Sequence, residues 1–337
     1  MKSNVIGMDI AKQVFQLHTV NSQSGEIERI KLRRAAVLPF FTQRPASLVA
    51  MEACGSAHHW ARQLRALGHE VRLLAPKSVR PFVRANKTDA ADAQAIWTAV
   101  QQPGAKSVAI KTEQQQASLA LHRLRAQLMK FRIMQTNALR GLLYEFGEAL
   151  PEGVRALAQA WPAALARLAE RLPAMLIDSL REQWARVRQI ESEIAAIDRR
   201  LASVLRTSTA CQQIAAIPGV GVLTATAAVA AMGDPHTFKS GREFAAWLGL
   251  VPRQTGTGGR TRQLGLSKRG DTYLRTLLMH GARAVIAQSK HSPWLQGLLL
   301  RRPYSVVVAA LANKLARTIW AVLARARPYK AAAFNAV

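Results

Sequence analysis

The stretch richest in possible chemistry is Arg84-Ala-Asn-Lys-Thr-Asp-Ala-Ala-Asp92. Asp89 and Asp92 stand three apart, so a helix starting here carries both carboxylates on one face of its first turn. Acids are favourable at that end on dipole grounds alone, and capping is the plainer reading. The surroundings favour a sharper one. The chain has 47 Lys and Arg against 20 Asp and Glu, so carboxylates are scarce, and a pair beside Arg84 and Lys87 suits a divalent cation held next to a phosphate. Two more acids, Asp9 and Glu52, each end a short apolar run, where sites gather in open α/β sheets. Four such carboxylates brought together repel one another unless a cation neutralises them. All-oxygen ligation suits Mg²⁺ or Mn²⁺ and not zinc.

A second stretch has a different chemistry. Arg253-Gln-Thr-Gly-Thr-Gly-Gly-Arg-Thr-Arg262 combines glycines, hydroxyls and arginines, and Gly265-Leu-Ser-Lys-Arg-Gly270 continues it. It reads as a flexible loop that carries a hydroxyl to a phosphate, with arginines offsetting developing charge. Its plainer role is to grip phosphate and nothing more.

Stepping outward, these residues need elements to hold them. Residues 4–8, Val14–Val20 and Gly25–Leu32 read as an antiparallel meander, Leu48–Met51 and Glu70–Leu74 as later strands, with helices near Ala35–Thr42, over Ala57–Leu67 and from Asp89. Thr88 or Asp89 supplies the last N-cap. The alternation implies an α/β domain with a mixed sheet over 1–103, ended by Pro103-Gly104. Residues 104–210 read as a long helical, coiled-coil region: Thr112–Phe146, an Ala-rich stretch divided by Pro162, and a helix from Pro173 to Thr207. Residues 211–337 read as mainly helical. There Ile217-Pro-Gly-Val-Gly221 has a helix-hairpin-helix pattern, in which Gly219 and Gly221 let backbone N–H groups meet phosphate without reading bases. An ordinary tight helix turn is the alternative. His58, His59, His280 and His291 read as packing or surface groups.

The net charge of +27 and pI near 11.5 point to a polyanionic partner. Two distant cysteines, Cys54 and Cys211, fit a cytoplasmic protein without a disulfide framework. No signal peptide is evident, and the apolar stretch Ser305–Ala324 is interrupted by Asn313, Lys314 and Arg317, so a core helix is expected there and no membrane partner.

Taken together, Asp9 after Val-Ile-Gly-Met, Glu52 in Met-Glu-Ala-Cys-Gly and Asn86-Lys-Thr-Asp89-Ala-Ala-Asp92 resemble the Asp-Glu-Asp-Asp tetrad of one transposase family. It is the insertion-sequence family one-ten, in its eleven-eleven-like branch. Ile217-Pro-Gly-Val-Gly, Phe244-Ala-Ala-Trp-Leu-Gly-Leu-Val-Pro-Arg-Gln254 and Gly265-Leu-Ser-Lys-Arg-Gly-Asp271 resemble its C-terminal domain. The resemblance covers nearly the whole chain, in order. It implies an RNase H-like (RuvC-like) N-terminal domain, a coiled-coil middle and a helical C-terminal domain. It also implies an enzyme that excises and inserts its element in donor and target DNA, guided by a structured bridge RNA, as a homo-oligomer (dimer or tetramer) acting at the nucleoid. The family carries a nucleophilic serine in the Gly-rich loop. The matching position here is Thr257, and no serine stands in Thr255–Gly259; Ser267 is the rival. On this reading Asp9, Glu52, Asp89 and Asp92 hold metal, and Lys87, Gly219, Gly221, Arg253, Arg260, Arg262, Lys268 and Arg269 meet nucleic acid. A junction-type endonuclease using water, or a non-enzymatic basic DNA-binding protein, are the competing functions.

Overall fold

The structure is a computed structural model that describes residues 4–21, 23–83, 88–288 and 292–330. It divides into two compact units, one built from the chain up to Gln115 with Met232–Lys239, the other from Gln116–Ala231 and from Ser240 onward.

The first unit is a six-stranded mixed sheet with helices on both faces. Its elements are β1 (Val5–Ile10), β2 (Val14–Val20), β3 (Ile27–Arg33), α1 (Val37–Thr42), β4 (Leu48–Glu52), α2 (Ala57–Ala66), β5 (Glu70–Leu74), α3 (Pro76–Val79), α4 (Asp89–Val100) and β6 (Ser107–Val108). The strand order is β3-β2-β1-β4-β5-β6. The first three strands form the expected antiparallel meander, and β1, β4 and β5 run parallel. The two-residue β6 pairs antiparallel with β5 and has no signal of its own in the sequence, being too short to show a period.

Strand alternation sorts the side chains into two layers. Ile6, Met8, Val49 and Met51 pack with α1 and α2, around Phe15, Phe41, Trp60 and Leu64. Val5, Leu48 and Ala50 pack on the opposite face with Ala95, Ile96, Ala99 and Val100 of α4. Burying each such large apolar side chain contributes on the order of 2 kcal/mol, so a one-residue slip of β1 or β4 would undo both layers.

The second unit is helical apart from one hairpin: α5 (Glu113–Glu145, most of its length), α6 (Val154–Ala169), α7 (Ala174–Thr207), α8 (Thr209–Ala215), α9 (Val222–Met232), α10 (Gly241–Trp247), β7 (Pro252–Thr257), β8 (Arg260–Leu266), α11 (Thr272–Ile286), α12 (Pro293–Arg301) and α13 (Tyr304–Arg325). Helices α5 and α7 run antiparallel. Arg125 donates to both oxygens of Asp198 at 2.6 and 3.3 Å, Gln135 donates to Gln183, and Leu143 shares a core with Ile177. Partner numbers fall along one helix as they rise along the other.

Two sequence readings are corrected here. Pro162 does not divide the Ala-rich stretch; α6 runs through it. A mid-helix proline costs roughly 3 kcal/mol, and burial of Leu157, Trp161, Ala164 and Leu168 offsets it. The expected flexible loop at Arg253–Arg262 is an antiparallel hairpin. Gly258 and Gly259 both take positive φ, 57° and 78°, as a two-residue turn matched to strand twist requires. The Gly-Gly between runs of Thr, Gln and Arg was the available signal.

Helix α13 is long and apolar enough to cross a bilayer by length and composition. Its Val308, Leu311, Leu315 and Ile319 are nevertheless buried, and it packs against α8, α10, α11 and α12.

Candidate active site

The tetrad residues come from three elements of the first unit. Parallel pairing of β1 with β4 ends at Met8 opposite Met51, so the next residues along the two strands are Asp9 and Glu52, on backbones about 4.8 Å apart. Alternation puts both on the face opposite Met8 and Met51, which is the face α4 covers.

Gly7 decides how closely α4 can lie. A Cβ at this position would come within 2.4 Å of the Ala93 carbonyl oxygen and 2.6 Å of the Trp97 nitrogen. The helix backbone thus rests on the bare strand, two residues before Asp9 and on the same face. Sequence reading missed Gly7 as a positioning residue; a glycine inside a buried strand was the sign of close backbone approach. Immediately before Ala93 and one turn before it, α4 presents Asp92 and Asp89. Thr88 is the N-cap, its Oγ1 accepting from the Ala91 N–H at 3.2 Å. That fixes where the helix begins and on which side its first-turn acids stand.

The electrostatics report the convergence. The Asp9 carboxyl is raised from 3.8 to about 6, first by burial, then by Asp92 and Asp89, and less by Glu52, against a lowering backbone hydrogen bond at Ile10. The Cys54 thiol is also pushed up, by burial and by Glu52 and Asp9. Asp9, Glu52 and Asp92 are half-buried and Asp89 is exposed. Among the described residues no group of three or more His, Cys, Asp or Glu is set closely enough to hold a metal ion. The fit to a hard divalent cation therefore rests on donor chemistry: four carboxylates whose mutual repulsion a cation would relieve, beside a Cys54 thiol that burial and the acids keep protonated. His58 is engaged elsewhere, its Nδ1 accepting from the Lys111 N–H. His59 is exposed and packs edge-on to Trp60.

The basic candidates lie in the second unit. Every residue of β7 is exposed, and all but Leu266 of β8. Thr257 ends β7 opposite Arg260. Arg253, Arg260 and Arg262 stand along the ribbon, and Lys268 and Arg269 follow β8, also exposed. The Ser267 Oγ, by contrast, is buried without a hydrogen-bond partner. Gly219 and Gly221 sit in the turn between α8 and α9. They differ: a Cβ at Gly219 would meet the Gly281 carbonyl oxygen of α11 at 2.7 Å, while Gly221 is exposed with open space before it. His280 is exposed on α11. Arg84, Lys87 and His291 lie outside the described residues.

Comparison with known proteins relates nearly the whole chain to one family. Residues 6–147 match a transposase family model named for the DEDD transposases of IS110, and residues 211–298 match the Transposase IS116/IS110/IS902 family. The chain is 47% identical over 336 residues to a probable family 20 transposase of Pseudomonas aeruginosa, covering 98% of this chain and 99% of that protein. It is 38% identical to the transposase for insertion sequence element IS1328 of Yersinia enterocolitica, over 94% of this chain and 96% of the relative. With the IS1111A transposase of Coxiella burnetii it shares 37% identity, over 98% and 92%. Identity of this extent, together with the two matched regions, makes the chain a member of the IS110 family of insertion-sequence transposases.

Proposed function

We propose that this transposase excises and inserts its element by strand cleavage at a site formed by Asp9, Glu52, Asp89 and Asp92. The observation that carries the reading is Asp9, whose carboxyl is held near 6 by burial and by the other three acids. A carboxyl perturbed by burial and by acids from three separate elements marks a candidate functional site. The four carboxylates would hold Mg²⁺ or Mn²⁺, which supplies positive charge to offset that of the scissile phosphate. Gly7 and the Thr88 cap position the pair on α4, and the partial burial of Asp9 beside the sheet reduces its hydration.

Thr257 is the proposed nucleophile. Its exposed hydroxyl on the ribbon lies opposite Arg260, and the buried Ser267 Oγ is the poorer rival. Arg253, Arg260, Arg262, Lys268 and Arg269 would neutralise backbone phosphates, with Lys87 and the Gly219–Gly221 helix-hairpin-helix turn as further contacts. Donor and target DNA and a bridge RNA are the partners this implies, and a net charge of +27 suits several polyanions at once.

A coiled-coil pair α5/α7 would assemble the protein into a homo-oligomer. Leu124, Phe131 and Leu142 are exposed large apolar residues of α5, and their spacing of seven and eleven puts them in one stripe. Residues 1–103, 104–210 and 211–337 are the catalytic, helical and C-terminal domains on this reading, and the first is RNase H-like.

The test is cleavage and binding measured side by side. Asp9→Ala is expected to abolish strand cleavage and leave nucleic-acid affinity within about twofold; cleavage surviving the change would remove the tetrad. Thr257→Ala is expected to abolish a denaturant-resistant protein–DNA adduct. A second reading, hydrolysis by water as in a junction endonuclease, is favoured by threonine's hindered β-branched hydroxyl. It predicts cleavage with no adduct in the unmodified chain and none lost on Thr257→Ala.

A further inference from the structure

A recess of about 240 Å³ opens in the second unit, where the base of the hairpin meets α11. Leu266 and Met279 give it an apolar floor, and Lys268, Arg275, His280 and Arg283 line it with cationic or aromatic groups. None of its lining residues is acidic. Its walls are fixed. Arg275 donates to the Leu248 carbonyl at 2.9 Å and to the Arg269 carbonyl at 3.3 Å, tying α11 to both segments at the hairpin's base. The Ser267 and Lys268 N–H groups bond the Val251 and Gly249 carbonyls at 2.8 and 3.2 Å. Lys268 takes φ 52°, a conformation that costs a non-glycine residue roughly 1 kcal/mol or more and persists where the surroundings impose it. Lys268 and Arg283 are exposed and form no ion pair among the described residues. Two unpaired cations thus stand over an apolar hollow.

That combination does not fit a plain phosphate clamp, which needs no apolar floor. Nor does it fit a drug-sized metabolite, whose pockets run from roughly 300 to 1,000 Å³. It fits one nucleotide: a flat apolar base inside, an anion on either side. We propose that this recess seats a single unpaired base of a nucleic-acid strand, with the flanking phosphates on Lys268 and Arg283 and the His280 ring available for stacking. Base seats of this kind trade lost stacking in the duplex for stacking on protein. Arg275 acts as a wall that keeps the hollow open. From Leu266 to Arg260 is six residues of strand, roughly 20 Å. A base held here would therefore anchor the strand about six nucleotides of duplex contour from the Thr257 end of the hairpin. The inference rests on the hairpin being a nucleic-acid face, but not on Thr257 being a nucleophile or on any cleavage.

Binding by the full chain tests it, using labelled oligothymidylate, oligouridylate and an abasic sugar-phosphate strand of equal length. Base-bearing strands are expected to bind at least about fivefold more tightly than the abasic one, and the better of the two identifies DNA or RNA as the source of the base. Met279→Trp, which fills the hollow, is expected to weaken base-bearing strands about tenfold, to leave the abasic strand unchanged and to leave the salt slope unaltered. Arg283→Gln is expected to lower the single-strand salt slope by about 0.7 on every strand. Equal binding of abasic and base-bearing strands by the unmodified chain would overturn the proposal, and that comparison needs no variant to fold. So would a Met279→Trp chain of native Tm that binds all strands alike with undiminished affinity. If the unmodified chain bound neither single strands nor duplex, the nucleic-acid reading of the hairpin would fall with it. Duplex binding without base dependence would sink the seat alone.

Discussion

The acidic end of the sheet and the basic hairpin are built on opposite principles. Asp9 and Glu52 stand on central parallel strands packed on both faces, and α4 lies on them at backbone contact through Gly7. The hairpin is a two-stranded ribbon with a single partly buried residue. Charge follows the same division. Scarce carboxylates are crowded and partly desolvated until one is held near 6, while abundant arginines are spread out in solvent. A set of acids crowded against the sheet has its geometry held by packing, and burial supplies that. A surface for a long polyanion gains more from reach and number of charges, and the polyanion itself supplies the order. Only at its base, where Arg275 ties α11 to the loop before β7 and the one after β8, is the hairpin fixed by the fold.

The comparison is most sharply broken at Gly7. Gly7→Ala must push α4 off β1, because the new methyl would lie 2.4 Å from the Ala93 carbonyl oxygen. Cleavage is expected to fall at least about a hundredfold, since small misplacements of catalytic groups cost that much. Overpacking should lower stability by about 1–3 kcal/mol, while nucleic-acid affinity is expected to stay put, since most of the proposed phosphate contacts lie in the other unit. Cleavage assays paired with thermal melts decide this; full activity in the variant would show that α4 is not seated through Gly7.

The interior of the second unit responds to pH. His122 of α5 is buried and bonds the Tyr273 hydroxyl of α11 at 2.9 Å and the Thr226 Oγ1 of α9 at 3.0 Å. Burial, with the nearby Arg125, lowers its pKa from 6.5 to about 4, against weaker opposing effects of Asp198 and Asp271. Because the folded value lies below the unfolded one, the unfolded chain binds more protons between pH 4 and 6.5. The stabilisation is complete above about 6.5 and is lost as pH falls to 4, a change of about 3 kcal/mol. Asp9, raised from 3.8 to about 6, acts in the opposite sense over nearly the same range, so the His122 contribution is read as the difference in slope between the unmodified chain and His122→Phe in chemical denaturation.

Smaller effects are expected at the helix cap and along the ribbon. Thr88→Ala removes the acceptor for the Ala91 N–H and should cost about 1 kcal/mol, with a modest loss of cleavage and none of binding. Arg262→Gln should do the reverse: an unchanged melt, and a duplex-DNA salt slope reduced by about 0.9 if one phosphate contact is lost. A ribbon substitution that lowered stability as much as Thr88→Ala would erase the distinction between the two regions.

Much of this was legible in the residues. The alternating apolar runs marked five of the six strands, since each is long enough to show its period, and β6 at two residues is not. Thr88-Asp89 before an Ala-rich run gave the start of α4 to within one residue, because capping is a local matter of one side chain and the N–H groups after it. The hairpin was misread as a loop because its strands carry Thr, Gln, Gly and Arg with neither face buried, and only the Gly258-Gly259 turn betrays it. Pro162 was misread as a break because local propensity says nothing of the core that Trp161 and Leu168 enter.

By itself the sequence determined the scarce acids, the basic surplus, the order of strands and helices and the motifs that place the chain in its family. It could not determine that Met8 pairs with Met51, that Asp9 and Glu52 therefore share a face, or that α4 closes on that face over Gly7. Register and helix seating depend on contacts between residues forty to ninety positions apart, whose energies belong to the packed layers and not to any segment. The chemistry is thus written locally, and its convergence is a property of the fold.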